Sequence, residues 1–280
     1  MAKNVQWYGW VQDAPDARDL LFTASPVVVS QPLPTSVDLR PGCPPVYNQG
    51  NVGSCTANCI AAAFQFAQMK QRLAHFMPSR LFIYYNERVM EHCVKKDEGA
   101  QIRDGIKSVA KLGVPPESTW PYRQKHSIVV KEPKGLAYID AYQHKVLAYH
   151  RIRAQKPDTF LRLMKSCLAE GYPFVFGFTV YSAFEGDEIE KTGIMNMPDK
   201  KKEKVVGGHA VMAVGYNEKR QAMLVRNSWG LRWGLRGYFW MPYAYISSHQ
   251  LCDDFWTIRG VTGKPAGKTA ARPKAKATGA

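Results

Sequence analysis

Long apolar segments are missing from this 280-residue sequence. The longest, from Phe174 to Tyr181, is far short of the roughly 20 residues that a membrane-spanning helix needs, so a transmembrane protein is excluded. The first residues also lack the apolar core and the small-residue cleavage site of a secretory signal. We therefore expect a cytoplasmic protein with no membrane partner.

Paired cysteines and clustered histidines are missing as well. No cysteine belongs to a CxxC pair and no histidines gather near the cysteines, so the spacing of a zinc site is absent. Without an export signal, we expect free thiols in a reducing compartment and no metal. The six cysteines are Cys43, Cys55, Cys59, Cys93, Cys167 and Cys252.

Acidic residues are too few to balance the basic ones: 23 Asp and Glu stand against 38 Lys and Arg, for a net charge of +15. Five of the basic residues lie in the last 17 positions, from Lys264 onward, where no acid occurs. Such a charge favours anionic partners. For residues 260–280 two interpretations stay open: a disordered basic tail, or a weak contact with nucleic acid or another polyanion.

The composition is otherwise that of a globular protein, 45% hydrophobic and 12% aromatic, with a length that suits one large domain or two lobes. The first half predicts three helices. One is rich in Ala, buried and capped by Ser54, a second follows Ser79, and a third runs from Arg103 and stops at Gly113.

The second half predicts strands, because it has four segments rich in β-branched and aromatic residues with turn residues between them. These segments are YPFVFGFTVY, HAVMAVGY, AMLVRNSW and GYFWM. We therefore predict an α+β fold with a helical lobe at about residues 46–145 and a β-rich lobe at about residues 146–259.

Cys55 stands at the predicted start of the buried helix, in the block QGNVGSCTAN. The helix dipole and the free backbone N–H groups at that end favour the thiolate, which is the reactive form of cysteine. The side-chain amide of Gln49 and the backbone N–H of Cys55 could both donate to an oxyanion beside the sulfur. A lone cysteine is more often a small buried side chain, and we interpret the other five in that way.

Two further blocks, GGHAVMAVGY and VRNSWGLRWGLRGY, predict a β-hairpin around a polar turn. A turn centred on Glu218 puts His209 directly opposite Asn227, with Cβ atoms roughly 5 Å apart. The imidazole N–H would then donate to the asparagine, which leaves the other ring nitrogen for a nucleophile. A slip of one residue in the register would separate the two side chains.

The three blocks resemble the hallmarks of the papain-like cysteine peptidases. The family has a Gln-Gly-x-Cys-Gly-Ser-Cys block, then a His-Ala block, then Asn-Ser-Trp-Gly-x-x-Trp-Gly-x-x-Gly-Tyr. The corresponding segments here are residues 49–55, 208–211 and 227–238. The resemblance covers roughly residues 33–259, and it implies a two-lobe fold in which a cleft separates a helical lobe from a β-barrel-like lobe.

The resemblance also implies a role for each matching residue. Cys55 would be the nucleophile that forms a thioester, His209 its general acid and base, Asn227 the residue that orients the histidine, and Gln49 part of the oxyanion hole. Trp229 would shield the His–Asn hydrogen bond and line the leaving-group side. The expected enzyme is a monomeric peptidase that acts on peptides or proteins and needs no metal or organic cofactor.

The resemblance also implies which residues bind the substrate. The family's Gly-Gly backbone, which pairs with a bound peptide, corresponds to Gly99 and Ala100. Either Asp253 or Asp254 could reach the floor of the main specificity pocket, where it would favour a basic residue two positions before the cleaved bond. The alternative is that both are solvated acids.

Three features depart from the family. Val52 stands where a disulfide-bonded cysteine is usual, and Thr56 replaces the usual tryptophan, which suits a member that works in a reducing compartment. Residues 1–32 are much shorter than the usual helical propeptide. We expect them to form a short leader, with the aromatic cluster Trp7, Tyr8 and Trp10, that lies across the cleft and restrains activity.

Two other functions stay open beside a cysteine peptidase. A thiol amidase or acyltransferase would use the same residues on a different amide, because substrate choice depends on loop shapes. A non-catalytic scaffold that binds polyanions through its basic surface is the second alternative. Such a protein would show a polyanion affinity that falls steeply with salt.

Overall fold

Most of the helical residues lie in the first half of the chain and most of the strand residues in the second, in the computed structural model, which describes residues 8–266. The predicted α+β class is confirmed. The helices in these residues are α1 Pro26–Val29, α2 Cys55–Lys70, α3 Arg80–Met90, α4 Ile102–Leu112, α5 His126–Val129, α6 Gly135–Ala141, α7 Pro157–Ala169, α8 Asp187–Thr192 and α9 Tyr243–Ile246. The strands are β1 Ser36–Asp38, β2 Val146–Arg151, β3 Phe174–Tyr181, β4 Val205–Asn217, β5 Ala222–Arg226, β6 Tyr238–Pro242 and β7 Cys252–Val261. Short 3-10 helices are Arg40–Gly42 and Ser182–Glu185.

Helix α2 is the buried centre of the first half, as its apolar sequence predicts. All its residues from Cys55 to Gln68 are buried, and it packs against α3, α4, β4 and β7. Ser54 is the cap residue, but its side chain makes no capping hydrogen bond. Its hydroxyl lies 2.7 Å from the hydroxyl of Tyr122 instead, so a tertiary contact replaces the predicted cap.

The ends of α3 and α4 agree with the local signals in the sequence. The hydroxyl of Ser79 accepts a hydrogen bond from the backbone N–H of Phe82 at 3.2 Å, which caps α3. Helix α4 ends at Gly113, which has φ +83°, a value that glycine adopts readily and other residues do not. Both helices are therefore confirmed to within one or two residues.

The strands form one open antiparallel sheet in the order β2-β7-β3-β4-β5-β6, with β1 added to β4. Side chains alternate between the two faces along a strand. In β3, Val175 faces the apolar cluster around α2, whereas Phe174, Phe176 and Phe178 face a second cluster with α7 and α9. The sheet face that carries Val175 is therefore the one that meets the helical half.

The hairpin of β4 and β5 forms, but not in the predicted register. Asn217 pairs with Ala222, so the turn is centred beyond Glu218. A bulge follows in β4, and the pairing with β5 ends before it reaches His209. The predicted direct opposition of His209 and Asn227 is therefore wrong, and their side chains meet by another route.

The arm, which we define as residues 8–25, crosses the protein from the helical half to the sheet. Trp10 forms a parallel bridge with Ala100, in the loop before α4, and the far end of the arm reaches β2. The arm is part of the segment that the sequence predicts as a leader. Trp7, the first member of the aromatic cluster, lies outside the described residues.

The C-terminal described residues return to the end of α2. Strand β7 runs to Val261, and the backbone N–H of Ala266 donates to the carbonyl of Arg72 at 3.0 Å. Ordered contacts thus continue past residue 259, where the sequence predicts the end of the peptidase domain. The predicted basic tail from residue 267 onward lies outside the described residues.

None of the helices within residues 8–266 is long and apolar enough to cross a membrane. Over the same part of the chain, no group of three or more His, Cys, Asp or Glu side chains is positioned to hold a metal ion. All six cysteines are described and each is a free thiol, so no disulfide stabilises the described fold.

Candidate active site

Cys55 is the first residue of α2, and it is completely buried. Burial raises the pKa of its thiol to about 12, and hydrogen bonds from the backbone N–H groups of Ala210, Gly9 and Thr56 oppose that rise. Ala210 belongs to β4 and Gly9 to the arm. The sulfur therefore lies where α2, the sheet and the arm meet.

His209 is held by Asn227 despite the shifted register. The Nε2 atom of His209 lies 2.8 Å from Oδ1 of Asn227, which also accepts the backbone N–H of Ser228 at 2.8 Å. Because an amide oxygen only accepts hydrogen bonds, we assign the ring hydrogen to Nε2. The other ring nitrogen, Nδ1, is buried and has no hydrogen-bond partner within residues 8–266.

Aromatic rings surround the imidazole of His209. Trp229 stacks on it with ring centroids 4.9 Å apart and an interplanar angle of 27°, and Phe178 meets it edge-on at 5.7 Å. Burial in this apolar site lowers the pKa of His209 to about 4, against the opposite effect of the Asn227 hydrogen bond. Trp229 thus covers one face of the imidazole, and its predicted role as a shield of the His–Asn hydrogen bond stays a prediction.

Gln49 is completely buried beside Cys55's helix, and both ends of its amide are engaged. The hydroxyl of Ser228 donates to its Oε1 at 2.6 Å, and its Nε2 donates to the carbonyl of Val52 at 3.0 Å. The Val52 contact fixes which end of the amide is the donor, because a backbone carbonyl only accepts hydrogen bonds. Ser228 lies inside the Asn-Ser-Trp block, but nothing in the sequence assigns it this contact.

The arm pairs with the loop that carries Gly99 and Ala100. The N–H of Ala100 donates to the carbonyl of Gly9 at 2.8 Å, and the N–H of Val11 donates to the carbonyl of Ala100 at 3.1 Å. A Cβ at Gly99, which has φ +90°, would come within 2.2 Å of the Gly9 oxygen, so only glycine permits this approach. The two predicted peptide-binding residues therefore contact a peptide segment, which is the protein's own arm.

The two residues that flank Gly9 contact different parts of the site. The ring of Tyr8 lies 5.9 Å from that of His209 and 6.2 Å from that of Trp229, and its hydroxyl donates to Glu185 at 2.8 Å. The N–H of Trp10 donates to the carbonyl of Gly208 at 2.9 Å. The arm thus covers the imidazole of His209, the ring of Trp229 and the backbone of β4 next to His209.

The carboxyl that meets the side chain of Trp10 belongs to Asp254 and not to Asp253. Oδ2 of Asp254 accepts the indole N–H of Trp10 at 3.0 Å, and its Oδ1 accepts from Arg151 at 2.9 Å. Asp253 accepts instead from Gln12 at 2.8 Å and from Arg151 at 3.1 Å. Burial, and then the neighbouring carboxylates, raise the pKa of Asp254 to about 8.

The chain is similar to known proteins over most of its length. The family model described as papain family cysteine protease matches residues 33–253. The chain belongs to the papain family of cysteine proteases. It is therefore a hydrolase of the peptidase type, as the sequence resemblance implies.

Individual relatives within the papain family cover much of the chain. An uncharacterized peptidase C1-like protein of Acanthamoeba polyphaga mimivirus is 43% identical over 274 residues, which are 91% of this chain and 87% of that protein. Pro-cathepsin H of Bos taurus is 28% identical over 227 residues, 74% of this chain and 59% of the bovine protein. The crystal structure of xylellain, a cysteine protease from Xylella fastidiosa, is 43% identical with a TM-score of 0.84, and the match covers 93% of this chain and 98% of xylellain.

Thr56 and Val52, the two residues that differ from the usual papain-family pattern, both have defined contacts in the structure. Thr56 donates its hydroxyl to Oε1 of Glu87 at 2.6 Å, and both side chains are completely buried. Burial raises the pKa of Glu87 well above its usual value, so we expect this carboxyl to be protonated. Val52 is also buried, in the same apolar cluster as Cys55. A buried acid paired with this threonine was not expected from the sequence, because Glu87 belongs to no motif.

Proposed function

We propose that this papain-family peptidase cleaves peptide bonds with Cys55 as the nucleophile, His209 as the general acid and base, and Asn227 as the residue that orients the imidazole. The observation that carries the proposal is the 2.8 Å contact between His209 Nε2 and Asn227 Oδ1. With the ring hydrogen on Nε2, the basic nitrogen is Nδ1. Further support comes from Ala210, which follows the histidine directly and whose N–H reaches the Cys55 sulfur.

In the proposed reaction, Nδ1 of His209 takes the thiol proton while the sulfur of Cys55 attacks the peptide carbonyl carbon. The carbonyl oxygen becomes an oxyanion, to which the backbone N–H of Cys55 and the side-chain amide of Gln49 donate. The C–N bond then breaks, the imidazolium gives its proton to the leaving amine, and a thioester remains. Water, deprotonated by the imidazole, hydrolyses the thioester and restores the thiol.

We propose also that the arm restrains this reaction. In the covered site the backbone N–H of Gly9 reaches the sulfur of Cys55, so the arm occupies the space beside the sulfur that a substrate peptide would need. Burial under the arm favours the neutral thiol and the neutral imidazole over the thiolate–imidazolium pair, because it raises the pKa of Cys55 and lowers that of His209. Substrate would therefore need the arm to move before it could bind and react.

The nucleophile can be tested by substitution in a chain that carries Trp10→Ala, which weakens the hold of the arm without touching the proposed catalytic residues. We expect Cys55→Ser to abolish turnover of a peptide library and to abolish labelling by an epoxide thiol reagent. Cys93→Ser is the matched control, since Cys93 is a half-buried free thiol elsewhere on the chain, and it should change neither. Residual turnover in Cys55→Ser, or a label that mass spectrometry finds on another cysteine, would contradict the assignment.

A further inference from the structure

A pocket beside Cys55 encloses the indole ring of Trp10. Two glycines form its wall: a Cβ at Gly177 would come within 1.9 Å of the indole Cε2, and one at Gly208 within 2.8 Å of Cε3. Any larger residue at either position would overlap the ring. The space is therefore made by the absence of two side chains on neighbouring strands.

The two glycines lie on one face of the sheet. Gly177 in β3 pairs with Ala210 in β4, and Gly208 is two residues from Ala210, so the alternation of strands directs both to the same side. Ala210 belongs to the apolar cluster around α2, on the cleft side of the sheet. Two bare backbone segments on adjacent strands make a flat wall that suits a wide planar ring.

A hydrogen-bond acceptor stands at the far end of this pocket. Oδ2 of Asp254, a completely buried residue, accepts the indole N–H of Trp10 at 3.0 Å and the backbone N–H of Asp13 at 2.8 Å. Both donors belong to the arm, so both leave Oδ2 when the arm moves away. A buried carboxyl oxygen that loses its donors needs a replacement.

We propose that this pocket selects a tryptophan side chain from the substrate, with Gly177 and Gly208 providing the space and Asp254 accepting the indole N–H. The inference rests on the proposed function, since the substrate must occupy the groove that the arm now fills. The selected residue would be the one expected two positions before the cleaved bond.

A neutral donor suits Asp254 better than the basic side chain that the sequence suggests. Arg151, itself buried, already donates to Oδ1 of Asp254 at 2.9 Å. A negative charge on Asp254 therefore already has a positive partner inside the protein. A second cation would have to lose its water in order to lie in the same apolar pocket, at a high desolvation cost. Phenylalanine would fill the space but leave Oδ2 without the indole donor, which we expect to cost about tenfold in affinity.

The test measures binding and needs no turnover. Acetylated tetrapeptide amides that differ only in the selected position, with Trp, Phe, Leu or Arg, are titrated by calorimetry into the full chain with Trp10→Ala and Cys55→Ser. We expect the Trp peptide to bind about tenfold more tightly than the Phe peptide, and more tightly than Arg or Leu. Adding Gly177→Val should remove this advantage while leaving the Leu peptide within about threefold.

The possible results test the binding preference of the pocket separately from the proposed catalytic function. Equal affinities, or strongest binding of the Arg peptide, would overturn the proposal, because Asp254 would then act as a free charge or not at all. If Gly177→Val does not fold, as checked by thermal melting, Gly177→Ala narrows the same pocket, since its Cβ would come within 1.9 Å of the indole Cε2, and it should also remove the advantage of the Trp peptide. A failure of the Cys55 labelling experiment would count against the proposed function and leave this binding order unaffected.

Discussion

At the residue scale, Cys55 and His209 share an environment that opposes their own ionisation. Both side chains are completely buried, and burial shifts the two pKa values in opposite directions, towards the neutral thiol and the neutral imidazole. Part of that burial comes from Tyr8 and Gly9 of the arm. We therefore expect the reactive ion pair to form only when water or substrate replaces these two residues.

Ser228 gives a prediction at the same scale, as a positioning residue. Its hydroxyl donates to Oε1 of Gln49 at 2.6 Å, so Ser228→Ala removes one of the hydrogen bonds that orient the amide and loosens its position, while Nε2 still donates to Val52. Because a single oxyanion donor is worth roughly 100- to 1,000-fold in kcat, we expect a misaligned one to lower kcat about tenfold with KM little changed. Steady-state kinetics on one fluorogenic peptide would measure both parameters.

A double-mutant comparison separates this role from general destabilisation. In a Gln49→Ala background, Ser228→Ala should lower kcat no further, because the group that it orients is already gone. Ser228→Thr keeps the hydroxyl and should restore most of the activity. Equal losses in both backgrounds would show that Ser228 acts independently of Gln49.

The motifs of the sequence predicted that His209 and Asn227 meet, and their side chains lie 2.8 Å apart in the structure. The catalytic roles of Cys55, His209 and Asn227 stay predictions. The choice between Asp253 and Asp254 could not be made, because β7 shifts register against β3 at this point and Asp254 has φ +57°. Such an irregularity reverses which side chain faces the cleft, and simple alternation does not anticipate it.

At the element scale, the sequence predicted helices better than pairings. The ends of α3 and α4 depend on Ser79 and Gly113, whose effects are local and visible in the sequence. The β4–β5 hairpin depends on its turn and on a bulge near Gly215, and an error of a residue or two in either one shifts the whole pairing. His209 and Asn227 still meet, because both lie beyond the paired residues, where a change of register matters less.

The arm is the element with the clearest prediction. Deleting residues 1–32 should raise peptidase turnover at least tenfold, because the deletion exposes Cys55 and frees the peptide-binding edge at Ala100. Turnover of a peptide library by full-length and truncated chains gives the comparison. Circular dichroism and thermal melting show whether the truncated chain remains folded.

A synthetic peptide provides the complementary control. Residues 1–32 added to the truncated chain should restore inhibition, and the same peptide with Trp10→Ala should inhibit less, because it cannot fill the pocket between Gly177 and Gly208. A truncated chain that is folded but no more active than the full chain would show that the arm does not restrain the enzyme.

At the scale of the whole molecule, a buried charge cluster ties the arm to both halves. Arg103 of α4 donates to Asp19 of the arm at 2.8 Å, and Arg151 of β2 donates to the same Asp19 at 2.9 Å. The cluster contains four acids and two arginines: Asp13, Asp19, Asp253, Asp254, Arg103 and Arg151. Its acids outnumber its bases, so we expect it to retain a proton.

The pair of Asp13 and Asp254 determines whether docking of the arm weakens or strengthens as the pH rises. Burial raises both pKa values, that of Asp254 to about 8, and Trp256, Arg103 and Arg151 oppose the shift at Asp13. An exposed Asp has a pKa of about 4. Through these two acids the docked arm binds more protons than the released arm between about pH 4 and 8. Burial of His209 under the arm has the opposite effect below about pH 6.5, because it lowers the pKa of that imidazole to about 4. Between about pH 6.5 and 8 the acids decide the sign, and docking weakens as the pH rises, by at most about 1.4 kcal/mol per pH unit.

We therefore expect the cleft to open as the pH rises towards 8. The rate at which a thiol reagent labels Cys55, divided by the rate for Asp13→Asn at the same pH, should increase from pH 6 to 8. The amide cannot titrate, so the variant should lack this part of the pH dependence. The asparagine is also a poorer hydrogen-bond acceptor for the indole of Trp256 than the aspartate. That loss weakens docking by the same amount at every pH, so it does not change how docking varies with pH. A ratio that stays constant with pH would contradict the prediction.

The division of the chain into two halves was evident from composition, whereas this cluster was not. Asp13 and Asp254 are separated by 241 positions, and charged residues so far apart give no sign in the sequence that they will meet. What brings them together is the path of the arm, which leaves the cleft and crosses to β2. A leader across the cleft was predicted, but its route over the surface was not.

The arm continues without a break into the peptidase through α1, Pro26–Val29, in which no residue is buried. A tethered blocker has the same effective concentration at every dilution of the protein, so dilution cannot relieve it. A single cleavage in this exposed stretch would turn the arm into an ordinary dissociable ligand. The fraction of the protein with the arm bound in its cleft would then fall as the protein is diluted. Before cleavage at α1, inhibition by the arm is therefore the same at every protein concentration, and after cleavage the activity per molecule rises on dilution.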